Sequence, residues 1–323
     1  MHIVNNYRLL KKLGKGSYGE VWKAQHIHKK RDVAIKFEKK SRKKYLKLET
    51  IILRYLSNVS QVPFVKFYGE IDNFNYVILE LLGATISEYY YNIPKFDIGE
   101  IKWIGMKMLS SIREIHNSGI IHRDIKPENF LLTCNQKNIK LIDFGLAKYY
   151  MDENGNHRKL LQHNHIMGTP RYISIYVHER NDPSRRDDLI SFVYTLLFLL
   201  GYGLPWQGTK GTTREEKLNN IYVIKKSISN DDLCKIVMYD NTNNTDNNTD
   251  NNNDSDNDND NNDSDNDNDN NNNDNNNTNN NTDNDNNNKL FEKMKHLLDY
   301  TYSLTYDETP NYDYILFLLK TIL

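Results

Sequence analysis

The sequence predicts an α+β chain with two lobes, a β-rich lobe over about residues 1–82 and a mainly helical lobe over about residues 83–323. Two observations support this division. Short runs rich in β-branched and aromatic residues, separated by turn residues, dominate the first lobe. Longer segments with apolar residues at helical spacing dominate the second. A chain of 323 residues is long enough for both lobes.

Five strands and one helix are predicted in the first lobe. The strand segments are YRLLKKLG, GEVWKAQ, DVAIKFE, FVKFYGEI and NYVILELL, and the helix covers about residues 43–56. After Gly83 the pattern changes, and residues 97–117 form a long amphipathic helix that starts at an aspartate N-cap and ends before Ser118. Further helices are predicted at 186–200, 213–227, 289–300 and 312–322.

An Asn/Asp-rich tract at residues 241–288 hides a charge imbalance in the rest of the chain. The chain has 42 basic and 43 acidic residues, and leaving out the tract's thirteen aspartates changes the net charge from −1 to +12. Without apolar residues to bury, the tract is predicted to be a disordered insertion. A tolerated low-complexity insertion and an internal pseudosubstrate both fit it. The basic remainder favours an anionic partner, such as nucleotide, acidic or phosphorylated protein, or nucleic acid.

Composition also indicates a compartment. The first twelve residues contain no apolar signal core, and the longest apolar run, at 192–200, is too short to span a membrane. Two cysteines, Cys134 and Cys234, provide no disulfide framework. We therefore expect an intracellular protein, in the cytoplasm alone or in the cytoplasm and the nucleus. We also expect a monomer. No motif specific for nucleic acid is present.

The segment GKGSYGEV at residues 14–21 fits the pattern G-x-G-x-x-G-x-V. Taken alone, a hairpin turn that needs glycine conformations explains it equally well. Because the glycines lie between two predicted strands, a dinucleotide fold is disfavoured and a flap whose backbone N–H groups cover phosphates is favoured. Lys36, in VAIK, follows at a position suited to hold nucleotide phosphates, and Glu49 on the predicted helix could fix its ammonium group.

Two further motifs add a proton acceptor and metal ligands. In HRDIKPENF at 122–130, Asp124 can accept a hydroxyl proton and Lys126 is spaced to neutralise a transferring phosphoryl group. Asn129 offers a hard oxygen for Mg²⁺, and Asp143 of the DFG sequence is the stronger metal ligand. Phosphoryl transfer depends mainly on positioning and charge neutralisation, which these residues would supply.

These motifs, in this order, resemble those of the eukaryotic protein kinases. Several stretches are similar to the casein kinase 1 family in particular: HRDIKPENFLL, LIDFGLAKYY, GTPRYISIYVH, SRRDDL and LPWQGTK. Most kinases have A-P-E at the end of the activation segment, whereas the casein kinase 1 family has S-I-N, and this chain has Ser174-Ile175-Tyr176 there. The vaccinia-related kinases share parts of these stretches and are the nearest competitor.

The resemblance implies the bilobal protein kinase fold, ATP and Mg²⁺ as cofactors, and transfer of the γ-phosphate to serine and threonine hydroxyls in acidic or pre-phosphorylated proteins. Lys126 belongs to the serine/threonine arrangement of the motif, and the Thr169 hydroxyl would lie near Asp124 and Lys126. The alternative is a pseudokinase or scaffold that binds partners without turnover, but the catalytic and metal residues are intact.

The resemblance also implies an ATP site whose hinge is Glu80-Leu81-Leu82, with Leu79 at the back of the adenine pocket. The implied ATP-binding residues are Leu13, Gly14, Lys15, Gly16, Ser17, Gly19, Val21, Ala34, Lys36, Glu49, Leu79, Glu80 and Leu82. The implied catalytic residues are Asp124, Lys126 and Asn129, and the implied metal ligands are Asn129 and Asp143.

An anion pocket that recognises phosphorylated or acidic residues is a further implication. Its positions correspond to Arg171, to the turn at Gln207 and Gly208, and to Lys217. Arginine can bind phosphate through two hydrogen bonds, and lysine adds a point charge.

Some features depart from the family pattern. Tyr176 replaces an asparagine, Val193 a glycine and Pro170 an alanine, and none of them is a catalytic position. The histidines of the activation segment are predicted to lie in a solvated loop; they are His157, His163 and His165.

Overall fold

The computed structural model describes residues 3–16, 19–41, 45–92, 97–201, 203–239 and 280–322, with the backbone alone at 280–287. The predicted α+β fold with two lobes is confirmed. The first lobe is an antiparallel six-stranded sheet in the order β1-β2-β3-β4-β6-β5, with one helix packed against it. Its elements are β1 (Ile3–Val4), β2 (Tyr7–Gly16), β3 (Gly19–His26), β4 (Asp32–Lys39), α1 (Tyr45–Tyr55), β5 (Val65–Ile71) and β6 (Phe74–Glu80).

The second lobe is mainly helical and surrounds the larger of two apolar cores. Two short two-stranded sheets pair β7 with β10 and β8 with β9, and the turn between β9 and β10 packs against the helix of the first lobe. Its helices are α2 (Ile86–Tyr91), α3 (Ile98–Asn117), α4 (Ile175–His178), α5 (Arg185–Gly201), α6 (Arg214–Ser227), α7 (Asn230–Met238), α8 (Asn280–Ser303) and α9 (Tyr312–Lys320). Its strands are β7 (Ile120–Ile121), β8 (Phe130–Leu132), β9 (Ile139–Leu141) and β10 (Lys148–Tyr149).

Helix α3 begins where the sequence predicts, at an aspartate N-cap. The Asp97 carboxylate accepts from the Glu100 backbone N–H, and the Glu100 carboxylate accepts from the Asp97 N–H. This reciprocal capping box satisfies two donors that a helix start otherwise leaves unpaired.

Helix α5 crosses the centre of the second lobe and is buried almost all round. Its apolar part packs against α3, α7 and α8, and Val193 is fully buried within it. The four charged residues at its start, 185–188, are buried as well. Buried charges require hydrogen-bonding or ionic partners, so we expect this end of α5 to anchor the polar segments that pack against it.

Several short elements are absent from the sequence-based prediction, namely α2, α4 and all four strands of the second lobe. A helical or alternating pattern needs more than the two to six residues that these elements contain. Helix α7, with nine residues, is also missing from it.

The Asn/Asp tract differs from the prediction at its C-terminal end. Helix α8 starts at Asn280, nine residues before the predicted start at 289, so residues 280–288 are helical and not part of a disordered insertion. Once the apolar residues after 289 have fixed a helix, each added residue gains a backbone hydrogen bond at little cost. The rest of the predicted insertion, 241–279, lies outside the described residues.

No helix within the described ranges combines the length and the apolar character that crossing a membrane requires.

Candidate active site

Three charged side chains from separate elements meet between the lobes. The Lys36 ammonium, on β4, lies 2.8 Å from Glu49 Oε2 on α1 and 2.9 Å from Asp143 Oδ1, which follows β9. Helix α1 brings Glu49 inward because its apolar face packs on the sheet and on the turn after Asp143. These two ion pairs connect the sheet of the first lobe to its helix and to the second lobe.

Burial and mutual attraction shift these groups in opposite directions. Burial disfavours the charge on Lys36, but the two carboxylates outweigh it and raise the pKa of Lys36. Burial raises the pKa of Glu49, and Lys36 offsets only part of this effect. For Asp143, burial is outweighed by Lys36, and its pKa is lowered. Asp143 is therefore the carboxylate of this cluster best suited to remain ionised and bind a cation.

Left-handed backbone conformations occur at two non-glycine residues of the site. Arg123 has φ +69° and Asp143 has φ +64°, a conformation that most residues avoid and that concentrates at functional sites. Asp143 precedes a 3₁₀ turn, Phe144–Leu146, whose buried Phe144 contacts the His122 ring at 5.0 Å between centroids. The strained backbone of each segment is thus held by packing against the other.

The second group of site residues is centred on Asp124. Lys126 Nζ lies 2.9 Å from Asp124 Oδ2, and Asn129 Nδ2 donates to the Asp124 backbone oxygen at 2.7 Å. Thr169, although 45 residues away, donates from Oγ1 to Asp124 Oδ1 at 2.7 Å and accepts from Lys126 Nζ at 2.8 Å. The structure thus brings all three predicted catalytic residues and Thr169 together.

Gly168 permits this approach of Thr169. Its φ is +91°, and a Cβ placed there would lie 2.6 Å from the Arg123 backbone oxygen. A larger residue would push the segment away from the catalytic loop, so glycine is required for steric as well as conformational reasons.

A buried carboxylate outside the predicted site binds the backbone of the catalytic loop, residues 122–129. Asp188, at the start of α5, accepts from the backbone N–H groups of His122 and Arg123 at 2.7 and 2.8 Å. It also lies 3.0 Å from His116 Nε2 on α3. Burial alone would raise its pKa, but these contacts lower it. In the sequence, SRRDDL is recognisable as a motif, but the motif does not show that Asp188 binds the backbone of residues 122 and 123. The charged residues at the start of an otherwise apolar helix are the only sequence feature that indicates a buried polar role.

Asn129 and Asp143 provide the donor set that suits Mg²⁺. Both offer hard oxygen atoms, and a magnesium ion that arrives with a nucleotide needs few protein ligands because phosphate oxygens and water complete its shell. The Asn129 amide is anchored through its nitrogen, and the Ile142 N–H donates to the Asn129 backbone oxygen at 2.9 Å. This bond ties the Asn129 turn to the residue before Asp143.

The glycine-rich segment forms a β-hairpin from β2 and β3. Gly14 pairs with Val21, and Val21 pairs with Lys36 on the next strand, so the flap lies beside the lysine. Gly19 has φ +149°, and a Cβ there would lie 1.7 Å from the Phe37 backbone oxygen, which excludes any other residue. Ala34 pairs with Leu79 on β6. Leu13, Lys15 and Gly16 lie on β2, and Ser17 lies outside the described residues.

The hinge segment follows β6. The Glu80 carboxylate turns away to accept from the Phe64 N–H at 2.9 Å and to pair with Lys140, so only its backbone can serve a nucleotide, a detail that sequence position does not predict. The Leu81 backbone oxygen accepts from Cys134 Sγ at 3.2 Å. Leu82 is half-buried next to them.

The predicted anion-pocket residues are linked by fewer hydrogen bonds and ion pairs than the group around Asp124. The Arg171 guanidinium lies 5.8 and 5.5 Å from the Tyr172 and Phe198 ring centroids. Its backbone oxygen accepts from Trp206 Nε1 at 2.7 Å, which links it to the exposed turn at Gln207 and Gly208. Lys217, exposed on α6, makes no ion pair with any other described residue.

The predicted loop location of the activation-segment histidines agrees with a largely exposed segment, but two of them are only partly exposed because they make tertiary contacts. His163 Nε2 lies 2.9 Å from Oδ1 of the buried Asp182, which also pairs with Lys148. His157 packs edge-on against Tyr306 at 4.8 Å between centroids. Tertiary contacts that the sequence pattern does not contain account for both. His165 is exposed, as predicted.

Residues 7–301 match the family model of the protein kinase domain. The matched range contains every site residue described above.

Proposed function

This chain belongs to the protein kinase family and is a phosphotransferase that uses ATP and acts on proteins; on that basis we propose that it phosphorylates serine and threonine in the manner of a casein kinase 1-like enzyme. The contact set of Asp124, Lys126 and Thr169 carries the proposal. It supplies a carboxylate for the acceptor proton, a cation for the transferring group and a hydroxyl that fixes both.

The hydroxyl oxygen of the substrate bonds to the γ-phosphorus while the bond between that phosphorus and the ADP oxygen breaks. Asp124 accepts the proton that the hydroxyl loses. Lys126, 2.9 Å from this carboxylate, neutralises negative charge on the phosphoryl group. Asp143 and Asn129 would hold Mg²⁺, which neutralises the phosphates when bound. Lys36, fixed by Glu49 and Asp143, binds the phosphates that stay behind.

We propose that the same group of residues selects serine and threonine as phosphate acceptors. Lys126 lies two residues after the catalytic aspartate, an arrangement typical of serine/threonine kinases, and Thr169 bonds to both Lys126 and Asp124. These contacts hold the lysine close to the proton acceptor. A short acceptor side chain suits a site in which the two groups are so near each other.

Preference for acidic or phosphorylated substrates is proposed from charge. Outside residues 241–288 the chain has a net charge of +12, and Lys217 is exposed with no described ion-pair partner. A lysine of this kind is available to an anion on the substrate. Arg171, on the segment after Thr169, would supply the second contact.

An assay with the purified chain, Mg·ATP, casein and three peptides that differ only in a serine, threonine or tyrosine acceptor tests this activity. We expect transfer to casein and to the serine and threonine peptides, and a loss of about 10²–10⁴-fold in kcat for Asp124→Asn. Transfer by the wild type no faster than by Asp124→Asn would instead indicate a pseudokinase. Efficient tyrosine transfer would contradict the proposed selection.

The anion pocket has a separate test. The double variant Arg171→Ala, Lys217→Ala is compared with the wild type on matched peptides with and without a phosphoserine N-terminal to the acceptor. We expect the ratio of kcat/KM between the two peptides to fall about tenfold or more, because two cationic contacts are removed. An unchanged ratio would show that the pocket is elsewhere.

A further inference from the structure

A lysine of α6 is buried beneath the segment that follows Thr169. Lys225 is 5% exposed, and its Nζ donates to the backbone oxygens of Pro170 at 2.8 Å and Ile173 at 2.6 Å. It makes no ion pair with a described carboxylate. Lysine is rarely buried without a carboxylate partner. Its burial here indicates that it serves as the hydrogen-bond donor to these two carbonyl oxygens.

Aromatic rings enclose the same amine. Lys225 Nζ lies 5.1 Å from the Tyr194 ring centroid and 4.9 Å from that of Trp206. Burial lowers the pKa of Lys225 well below its usual value. A neutral amine still has two N–H donors, one for each carbonyl, so the pair of hydrogen bonds does not require the charge.

Trp206 binds a third backbone oxygen, which lies between those of Pro170 and Ile173. Its Nε1 donates to the Arg171 oxygen at 2.7 Å, so donors from outside the segment bind three of the four backbone oxygens at residues 170–173. At the C-terminal end of the segment, the Ser174 hydroxyl donates to the buried carboxylate of Asp187 at the start of α5. Hydrogen bonds from α5, from α6 and from the turn between these helices therefore hold the segment along its length.

The pinned segment connects two functional regions. It follows directly after Thr169, which bonds to Asp124, and it contains Arg171 of the predicted anion pocket. Lys225 lies on the same helix as Lys217, about two turns further along. A shift of residues 170–173 would thus move Arg171 and the peptide backbone that follows Thr169, while Asp124 and Lys126 keep their own contact.

We propose that Lys225, assisted by Trp206, is a positioning residue for the protein substrate: it fixes the backbone of residues 170–173 so that the acceptor hydroxyl is held at Asp124. The inference rests on the proposed kinase activity. It assigns Lys225 no contact with ATP, which Lys36, the glycine hairpin and the hinge would bind on the other side of Asp124.

The test separates phosphorylation of a peptide from hydrolysis of ATP by water. Lys225→Met leaves two buried carbonyls without donors and should let the segment shift. A displacement of about 1 Å can cost about 10²-fold, so we expect kcat/KM for the peptide to fall by about that factor. KM for ATP and the rate of ATP hydrolysis without peptide should stay within about twofold of the wild type.

Lys226→Met is the matched control, because this neighbouring lysine is exposed and pairs with Glu179 at 3.1 Å. It should leave all three quantities unchanged. Trp206→Phe keeps a ring but removes the donor to Arg171, and it should lower kcat/KM for the peptide about tenfold at constant KM for ATP. This milder variant keeps the test open if Lys225→Met does not fold.

Three results are decisive. Peptide phosphorylation by Lys225→Met at the wild-type level would overturn the positioning role. Parallel losses of peptide phosphorylation and ATP hydrolysis in a folded Trp206→Phe protein would also overturn it, since they would indicate a general structural role. A wild-type chain that phosphorylates no peptide would refute the proposed function itself, which is a different outcome.

Discussion

At the scale of single residues, Tyr176 shows how a departure from the family pattern is accommodated. The Arg186 guanidinium carbon lies 3.5 Å from the centroid of the Tyr176 ring, and the Tyr176 hydroxyl donates to the Tyr302 backbone oxygen at 3.3 Å. Arg186 is 7% exposed. An aromatic face therefore stabilises a buried cation at a position where the resembled family has an asparagine.

We predict that Tyr176→Asn lowers the free energy of unfolding by about 2 kcal/mol, because it removes the ring that covers the Arg186 guanidinium. Tyr176→Phe keeps the ring and loses one hydrogen bond, so it should cost less than about 1 kcal/mol. Urea unfolding of the three proteins measures both values. Equal losses in the two variants would mean that the hydroxyl, not the ring face, stabilises the structure.

Single residues also mark the limit of prediction from sequence. Lys36, Asp124 and Asp143 could be placed at one site because their motifs have fixed spacing and a known chemistry. The roles of Lys225 and Asp188 could not, because burial of a lysine or an aspartate depends on which helix covers it. A sequence position on the hinge likewise does not fix the direction of a carboxylate, as with Glu80.

At the scale of elements, the four-residue helix α4 carries a histidine that folding keeps neutral. His178 is 7% exposed, and its ring lies 6.0 Å from that of Tyr222 on α6. Burial, and secondarily the nearby Lys225, lower the pKa of His178 to about 3. In the unfolded chain histidine titrates near its usual value, about 6.5.

This difference makes stability depend on pH. Between about pH 6.5 and pH 3 the unfolded chain binds a proton that the folded chain does not, so stability is lost as the pH falls. We predict that His178→Leu reduces the loss between pH 7.5 and pH 5 by about 2 kcal/mol relative to the wild type. Urea unfolding at a series of pH values measures it.

His165→Leu, a substitution at an exposed histidine, is measured in the same series as the control variant. If the pH dependence of His178→Leu matches that of the wild type, His178 does not contribute to the acid sensitivity of the fold.

The elements that the sequence predicted are the longer ones with a clear periodic pattern, such as the helices α1, α3 and α5 and the strands β3 and β4. Short elements such as α4 and β7 are formed by the tertiary structure: β7 pairs with β10 across 26 residues of chain. Neither strand has a pattern of its own that could show the pairing in advance.

At the scale of the whole molecule, the chain combines a strongly acidic tract with a basic remainder. Helix α7 ends before the tract and α8 begins within it, at Asn280, and the two helices pack against each other. The Tyr239 hydroxyl lies 3.2 Å from Asn288 Oδ1. The chain on either side of residues 240–279 is thus already joined by contacts that do not involve those residues.

We predict that replacing residues 241–279 with a Gly/Ser linker of about twelve residues changes the melting temperature by no more than about 2 °C, because long surface insertions add little to the cost of closing a loop. Kinetics on an acidic peptide should also stay at the wild-type level. Differential scanning fluorimetry and a steady-state assay check the two outcomes. A marked rise in activity would instead support the pseudosubstrate alternative.

The bonds that Asp188 makes to the catalytic loop also constrain when the enzyme becomes active during synthesis. The carboxylate that shapes residues 122 and 123 lies 66 and 65 positions further along the chain. Proteins fold in step with translation, and contacts between distant residues form only after both partners have left the ribosome. A nascent chain that already displays all its ATP-binding motifs would therefore still lack a formed catalytic loop until α5 has emerged and docked.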